Sequence, residues 1–262
     1  MRQEEGYLER DDYRLFYQTW GRGFPILLLH NATGSALFMN HSATWRLGQW
    51  LAEQQYQVIV FDQHGFGKSS PQKALRLDFF QKNAEDAVAL LDHLKISQVV
   101  VLGVGEGGTI ALNLAIKYPE RVVAVVADSA GYYVTEAMLE ADADPDNAPP
   151  PAWQQLWEEA HGDKAEPLSE ARTNLLRALA EQKIDLCQAQ LSEIKCPTLL
   201  MACTGDIYQL SGQNKEMGQL IPYAIVKIFR GGDHPVMWNL TPQFEQELGN
   251  FLTQTLKVRG EE

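Results

Sequence analysis

The sequence predicts an α/β fold, with a mostly parallel twisted sheet, helices on both faces and a helical lid insertion. Short continuous apolar runs alternate with segments of helical periodicity, and such runs are typical of parallel strands that are covered on both faces. The alternation stops between residues 131 and 195, where only helical patterns occur. The predicted parallel strands are 26–29, 58–61, 99–102, 122–127, 198–202 and 224–229.

The segments between these strands support the same class. Residues 7–9 and 13–20 flank an acidic turn and predict an N-terminal hairpin. Apolar residues at helical spacing between Phe80 and Leu94 predict one helix. A second helix is predicted from about residue 107 to Tyr118, where Pro119 favours its end.

The lid is predicted over residues 132–195, with 1–131 and 196–262 forming the core. Prolines among acidic residues make regular structure unfavourable at 142–151, whereas 153–160 and 170–186 have helical patterns. This insertion follows a predicted strand, so it should lie over the carboxyl edge of the sheet. Ligands bind at that edge in open α/β folds.

Composition excludes several classes of function. A formal net charge of −12 disfavours binding to nucleic acid or to an anionic membrane. No apolar run reaches the roughly 20 residues that cross a bilayer, and the first five residues do not resemble a secretion signal, so we expect a cytoplasmic protein. Three cysteines without metal-binding spacing predict neither a disulfide framework nor a metal site, and nothing indicates a cofactor. The oligomeric state stays open.

Acidic residues are concentrated in the predicted lid. Residues 132–195 contain 13 Asp and Glu but only 5 Lys and Arg, and thus carry −8 of the net charge. This bias favours a small-molecule ligand that bears an amine. The alternative is a solvated acidic surface that aids solubility.

Residues 99–108 predict a buried strand, a tight turn and the start of a helix. Gly103, Gly105 and Gly107 have the spacing of the G-x-nucleophile-x-G turn, with glycine at the nucleophile position. Such a position is typically held at positive φ, where a side chain costs on the order of 1–3 kcal/mol and glycine costs little. The pattern therefore predicts a complete turn without an attacking group.

Two residues after later strands are candidates for the rest of a triad. Asp206 and His234 follow Gly105 in the order nucleophile, acid, histidine. Asp128, at the end of another strand, is the alternative acid. The backbone N–H groups of Ala32 and Glu106 are the predicted oxyanion-hole donors, because they follow the first parallel strand and begin the helix after the turn.

Together with the D-x-x-G-x-G-x-S loop at residues 62–69, these segments resemble the α/β-hydrolase superfamily over nearly the whole chain apart from the lid. Asp78-Phe79-Phe80, Asp86-Ala87-Val88 and the glycine turn are similar to the biphenyl-hydrolase-like, or valacyclovir hydrolase, group. In that group the acid after the nucleophile holds the amine of amino-acid esters. The resemblance therefore implies that Glu106 anchors a substrate amine, while the alternative is a favourable acid at a helix N-terminus.

Three positions depart from the family pattern. Gly105 replaces serine, Asn31 replaces the glycine that usually follows His30, and His64 replaces the usual arginine. The first removes the nucleophile, the second affects the shape of the oxyanion loop, and the third affects a structural contact.

Other residues are assigned by context. Asn31, Trp153 and Trp157 are predicted ligand contacts, with Met138 also placed beneath the lid, although helix packing is the alternative for the lid residues. His30 is expected to be a structural loop residue, whereas His41, His93 and His161 are expected at the surface.

Three functions fit this pattern. The first is a serine hydrolase lineage for esters or amides in which Gly105 abolishes or strongly reduces covalent hydrolysis unless serine is restored. The second is a non-covalent enzyme, such as a direct-water hydrolase, lyase, isomerase or cyclase, that uses His234 with Asp206 or Glu106. The third is a catalytically silent small-molecule binding or sensing protein.

Overall fold

The computed structural model describes residues 3–39 and 46–260, and within these ranges eight strands form one sheet. They are β1 (Gln3–Glu9), β2 (Arg14–Gly21), β3 (Pro25–Leu29), β4 (Gln57–Phe61), β5 (Val99–Val104), β6 (Val122–Asp128), β7 (Thr198–Cys203) and β8 (Ala224–Phe229). The strand order is β1-β2-β4-β3-β5-β6-β7-β8. Only the pairs β1–β2 and β2–β4 are antiparallel. The predicted N-terminal hairpin and mostly parallel sheet are thus confirmed.

The central strands are apolar throughout because both faces of the sheet are covered. In β5, Val99 and Val101 pack into one core and Val100 and Leu102 into the other, in the period of two that a strand imposes. All four are fully buried. Continuous apolar runs therefore identified these strands correctly.

Helices cover the sheet on both sides. They are α1 (Ala36–Met39), α2 (Leu47–Glu53), α3 (Phe79–His93), α4 (Glu106–Lys117), α5 (Glu136–Ala143), α6 (Pro151–His161), α7 (Ala165–Glu181), α8 (Leu210–Leu220), α9 (Val236–Asn239) and α10 (Thr241–Gly260). Buried residues of α3, α4 and α8 pack on one face, and those of α2, α9 and α10 on the other. Among the described residues, no helix has the length and apolarity required to span a membrane.

The segment between β6 and β7 contains α5, α6 and α7, with short 3-10 turns at Pro145–Asn147, Gly162–Lys164 and Gln188–Glu193. The proline-rich stretch 142–151, predicted to be irregular, is only partly so: residues 142–143 end α5, Pro145–Asn147 form a 3-10 turn and Pro151 begins α6, where proline is tolerated. Helix α7 begins five residues before its predicted start. Pro167 permits this because it lies in the first turn, where a missing N–H costs nothing. It ends before Lys183, whose φ of 50° is left-handed.

His161 attaches this segment between β6 and β7 to the core, so its expected surface position is wrong. The side chain is only 3% exposed. Its Nδ1 accepts the backbone N–H of Gly67 at 3.1 Å, and its Nε2 lies 3.3 Å from the carbonyl oxygen of Thr33. Lys164 donates to the carbonyl of Gly67. The end of α6 is therefore bonded to the two loops that follow β3 and β4. His93 is exposed as expected, and His41 lies outside the described residues.

Candidate active site

The turn between β5 and α4 has the strained geometry that the glycine spacing predicts. Gly105 has φ 55° and ψ −121°, and its N–H donates to the carbonyl of Asp128 at 2.8 Å. A Cβ on Gly103 would lie 2.0 Å from the carbonyl oxygen of Gly107, so that position tolerates no side chain. Helix α4 can pack this closely on β5 only because Gly103 has no side chain.

His234 faces the place where a side chain at position 105 would begin. An ideal Cβ on Gly105 lies 3.4 Å from Nε2 of His234. The opposite ring nitrogen, Nδ1, lies 3.1 Å from Oδ2 of Asp206. Burial lowers the pKa of His234, but the charge and hydrogen bond of Asp206 and the charges of Glu106 and Asp128 together raise it more, and the net pKa lies above its ordinary value. The structure thus places His234 between residue 105 and Asp206, with one ring nitrogen facing each.

Asp128 has a different set of partners. Its carboxylate accepts the backbone N–H groups of Val236 and Met237 and the hydroxyl of Ser129. Burial raises its pKa to about 6, although these hydrogen bonds act in the opposite direction. The carboxylate hydrogen-bonded to the imidazole of His234 belongs to Asp206, while Asp128 holds the start of α9.

The side chain of Glu106 contacts one of the two predicted oxyanion donors. The N–H of Ala32 donates to Oε2 of Glu106 at 3.2 Å, and Nε of Arg172 donates to Oε1 at 2.8 Å. Burial raises the pKa of Glu106, but the Arg172 charge and the Ala32 N–H lower it, and the net pKa lies below its ordinary value. Glu106 is therefore a buried carboxylate with both oxygens engaged.

Arg172, which no sequence motif marked, reaches the site from α7. Its guanidinium also bonds the carboxylate of Asp142 on α5, and it lies 5.9 Å from the ring centre of Tyr208. Arg172 lies at helical spacing from Leu168 and Leu175, within the apolar stripe of α7. A lone arginine in such a stripe was the available sequence signal, because a buried guanidinium requires an acidic partner.

Tyr208 is a second missed residue. Its ring packs edge-on against His234, with ring centres 4.9 Å apart and planes at 88°. Tyr208 follows Asp206 in the loop after β7, and no sequence pattern marked it. The ring limits the positions that the imidazole of His234 can adopt.

A small cavity of about 30 Å³ lies between the glycine turn and residues of α5 and α7. Its lining includes Gly105, Glu106, Met138, Arg172, Leu176, Tyr208 and His234. Trp153 and Trp157 are not among the lining residues. Their ring centres are 6.0 Å apart, and Trp153 packs edge-on against Phe38. Contact between these tryptophans and a ligand stays a prediction.

The loop after β3 is fixed by its own side chains. His30 accepts the N–H of Gln63 at Nε2 and its Nδ1 lies 2.7 Å from the carbonyl of Asn31, while burial lowers its pKa to about 3. His30 is thus the structural residue that the sequence predicts. Asn31 donates to Thr33, and its Cβ lies 3.3 Å from the ideal Cβ on Gly105. Asn31 therefore borders the glycine turn.

In the described part of the chain, no cluster of three or more His, Cys, Asp or Glu has a metal-binding arrangement.

Comparison with known proteins identifies the family. The family model described as alpha/beta hydrolase fold matches residues 25–185, more than half of the chain. The chain therefore belongs to the α/β-hydrolase family, and the fold class predicted from the sequence is confirmed.

Curated relatives include hydrolases of small molecules. Serine hydrolase BPHL of Mus musculus is 37% identical over 124 residues, which are 47% of this chain and 41% of that protein. The 3-oxoadipate enol-lactonase 2 of Acinetobacter baylyi is 34% identical over 132 residues, which are 50% of this chain and 46% of that protein. Each alignment thus spans less than half of the relative. The predicted likeness to the biphenyl-hydrolase-like group is confirmed by the first relative.

Solved structures match over almost the whole chain. Est816, described as an N-acyl homoserine lactone degrading enzyme, has a TM-score of 0.75 at 23% identity and covers 94% of this chain and 100% of its own. The esterase EaEST from Exiguobacterium antarcticum has a TM-score of 0.76 at 19% identity, covering 94% of this chain and 98% of its own. At these sequence identities, the structural likeness supports the fold alone.

Proposed function

We propose that this protein derives from serine hydrolases of esters or amides and that Gly105 has taken the place of the nucleophile, so that covalent hydrolysis is lost or strongly reduced. The observation that carries the proposal is the 3.4 Å distance from an ideal Cβ on Gly105 to Nε2 of His234. A serine hydroxyl, one bond beyond that Cβ, would be within hydrogen-bond reach of the imidazole.

The remaining groups have matching roles in this proposal. In the parent reaction a serine oxygen attacks the carbonyl carbon while its proton passes to Nε2 of His234, and Asp206 orients the imidazole through Nδ1. His234 then returns the proton to the leaving alcohol or amine, and water hydrolyses the acyl-enzyme. The N–H groups of Ala32 and Glu106 are the proposed oxyanion donors. Loss of such a nucleophile costs on the order of 10⁶ in kcat.

The ligand in this proposal is a small molecule that binds at the cavity beside the glycine turn and borders Asn31. The resemblance to the biphenyl-hydrolase-like group and the acidic segment 132–195 favour a ligand with an amine. Trp153 and Trp157 remain proposed contacts for a ligand that extends beyond the cavity.

The test restores the hydroxyl. Gly105→Ser should acquire turnover of small aryl esters and amino-acid esters, and intact mass should show one phosphonyl adduct after treatment with a fluorophosphonate. Gly105→Ala is the matched control, because it adds the same Cβ without the oxygen. Gly105→Ser/His234→Ala should lose the adduct. A folded Gly105→Ser protein with neither turnover nor adduct contradicts the proposal.

A second candidate function is favoured by the intact His234–Asp206 pair in a site without a side chain at residue 105. Here His234 acts as a general base or acid on water or on the substrate itself, in a direct-water hydrolase, lyase, isomerase or cyclase. Such an enzyme would already turn over its substrate, and His234→Ala would abolish that turnover. Unchanged turnover in His234→Ala contradicts this candidate.

A further inference from the structure

Two acceptors compete for one backbone N–H donor in this site. The proposed function assigns the N–H of Ala32 to an oxyanion, yet this N–H donates to Oε2 of Glu106 at 3.2 Å. Glu106 directly follows Gly105. The carboxylate that engages the donor therefore comes from the same turn that lacks the nucleophile.

The lid holds the carboxylate in this position. Arg172 of α7 donates to the second carboxylate oxygen of Glu106 at 2.8 Å and also bonds Asp142 of α5. The side chains of all three residues are between 11% and 13% exposed. Since each oxygen of Glu106 has its own donor, rotation of the carboxylate away from Ala32 would also disturb the pair with Arg172.

A neutral ester carbonyl competes poorly with this arrangement. Hydrogen bonds to an ionised acceptor are roughly twice as strong as those between neutral groups. A carbonyl oxygen that approached Ala32 would have to displace a carboxylate that is ionised and buried. The developing oxyanion would also meet the negative charge of that carboxylate.

We infer that Glu106, held by Arg172 of the lid, occupies the oxyanion position and slows acyl transfer independently of the missing hydroxyl. A serine restored at residue 105 would therefore act at a reduced rate while Glu106 keeps this contact. The inference rests on the proposed function for the assignment of Ala32 as an oxyanion donor. It differs from an amine-anchoring role, in which the carboxylate of Glu106 favours turnover.

The kinetic test compares variants in the Gly105→Ser background. Adding Glu106→Ala should raise kcat/KM for p-nitrophenyl acetate at least tenfold, because the Ala32 N–H becomes available. Arg172 keeps Asp142 as its partner in this variant, so no buried cation is left unpaired. Adding Asp142→Asn instead is the matched control, since it removes an acid from Arg172 but leaves Glu106 on Ala32, and it should give no such gain.

The choice of substrate separates the two roles of Glu106. The acetate ester has no amine, so the removal of an amine anchor would not accelerate its hydrolysis. If Glu106→Ala leaves the acetate rate unchanged and lowers the rate for amino-acid esters, the inference is overturned in favour of the anchor. That outcome would leave the proposed hydrolase lineage intact, because Gly105→Ser itself would be active.

A measurement on the chain without a serine tests the contact directly. In NMR spectra, the Ala32 amide proton should move upfield in Glu106→Ala because it loses an ionised acceptor. An unchanged Ala32 resonance overturns the inference whatever the kinetics. If the resonance moves but neither serine variant reacts with esters or fluorophosphonate, the proposed function is overturned, and with it the inference that this contact slows acyl transfer.

Discussion

The carboxylate of Asp128, at the end of β6, accepts the backbone N–H of Met237 at 2.8 Å, across 109 positions of the chain. The N–H of Val236 donates to the other oxygen at 3.0 Å. These two N–H groups begin α9, directly after the loop that carries His234. One carboxylate of the central sheet therefore positions the loop of the imidazole without contacting the imidazole by a hydrogen bond.

Asp128→Ala should destabilise the protein by about 2–4 kcal/mol, because two buried N–H groups lose their acceptor. The stability of Asp128→Asn should lie between that of the parent and that of the alanine variant, since an amide oxygen can still accept from one of the N–H groups. Urea unfolding measures both differences. Equal stability of Asp128→Ala and the parent would contradict the role of this contact.

His161 makes stability depend on pH. Burial lowers its pKa from 6.5 to about 4, so the unfolded chain binds a proton at a pH where the folded chain does not. Stability should therefore fall as the pH drops from 6.5 to 4, by on the order of 3 kcal/mol from this group. Asp62 and Asp128, whose pKa burial raises to about 6, act in the opposite direction in parent and variant alike.

His161→Gln should reduce this pH dependence, since glutamine does not titrate and can still accept from Gly67. Thermal unfolding at pH 4.5 and 6.5 measures the difference between variant and parent. His93→Gln is the control, because that histidine is exposed, and its slope should match the parent. A parent-like slope in His161→Gln would exclude the proposed neutral state of the buried ring.

A side chain at Gly105 should cost stability even though the cavity adjoins it. Gly105→Ala places a Cβ at φ 55°, within 3.3–3.4 Å of Asn31 and His234, and should destabilise by about 1–2 kcal/mol. Gly212→Ala is the opposite control, because an added Cβ in α8 meets nothing within 4 Å. That substitution should stabilise by about 0.5–1 kcal/mol. Urea unfolding that ranks the two variants in the reverse order would refute this account of the turn.

The charges between the lid and the turn should be strongly interdependent. Arg172→Met leaves Glu106 and Asp142 without their shared cation and should destabilise by about 3–5 kcal/mol. Adding Glu106→Gln and Asp142→Asn should recover most of this loss, because no buried charge then lacks a partner. Chemical denaturation of the parent, Arg172→Met, the double variant Glu106→Gln/Asp142→Asn and the triple variant tests the coupling. Additive effects would show that the three side chains do not interact.

The sheet was predictable from the sequence because a strand that is buried on both faces is a continuous run of apolar residues. Every residue of β5 and β6 is buried, so the apolar run itself marks the strand. The glycine turn was equally visible, since a Cβ on Gly103 would lie 2.0 Å from the carbonyl oxygen of Gly107 in α4, and a Cβ on Gly107 would lie 2.2 Å from that of Leu29 in β3. These features depend on neighbours in the chain or on a single steric requirement.

The contacts of the lid were harder to predict because they join distant segments. His161 is 94 positions from Gly67, and Arg172 is 66 positions from Glu106. Both are polar residues, and a polar residue on a helix is ordinarily assigned to the solvent side. Only the arrangement of α6 and α7 over the core reveals that their partners are buried carbonyl, amide and carboxylate groups.

The backbone at Gly105 has an evolutionary consequence. The conformation that a nucleophile would need, with φ 55°, is imposed by the strand, the helix and the neighbouring glycines rather than by residue 105 itself. A glycine codon of the form GGU or GGC becomes a serine codon when its first base changes to A. A lineage with such a codon therefore lies one point mutation from regaining the hydroxyl, and natural variants of this turn are a place where the two states can interconvert.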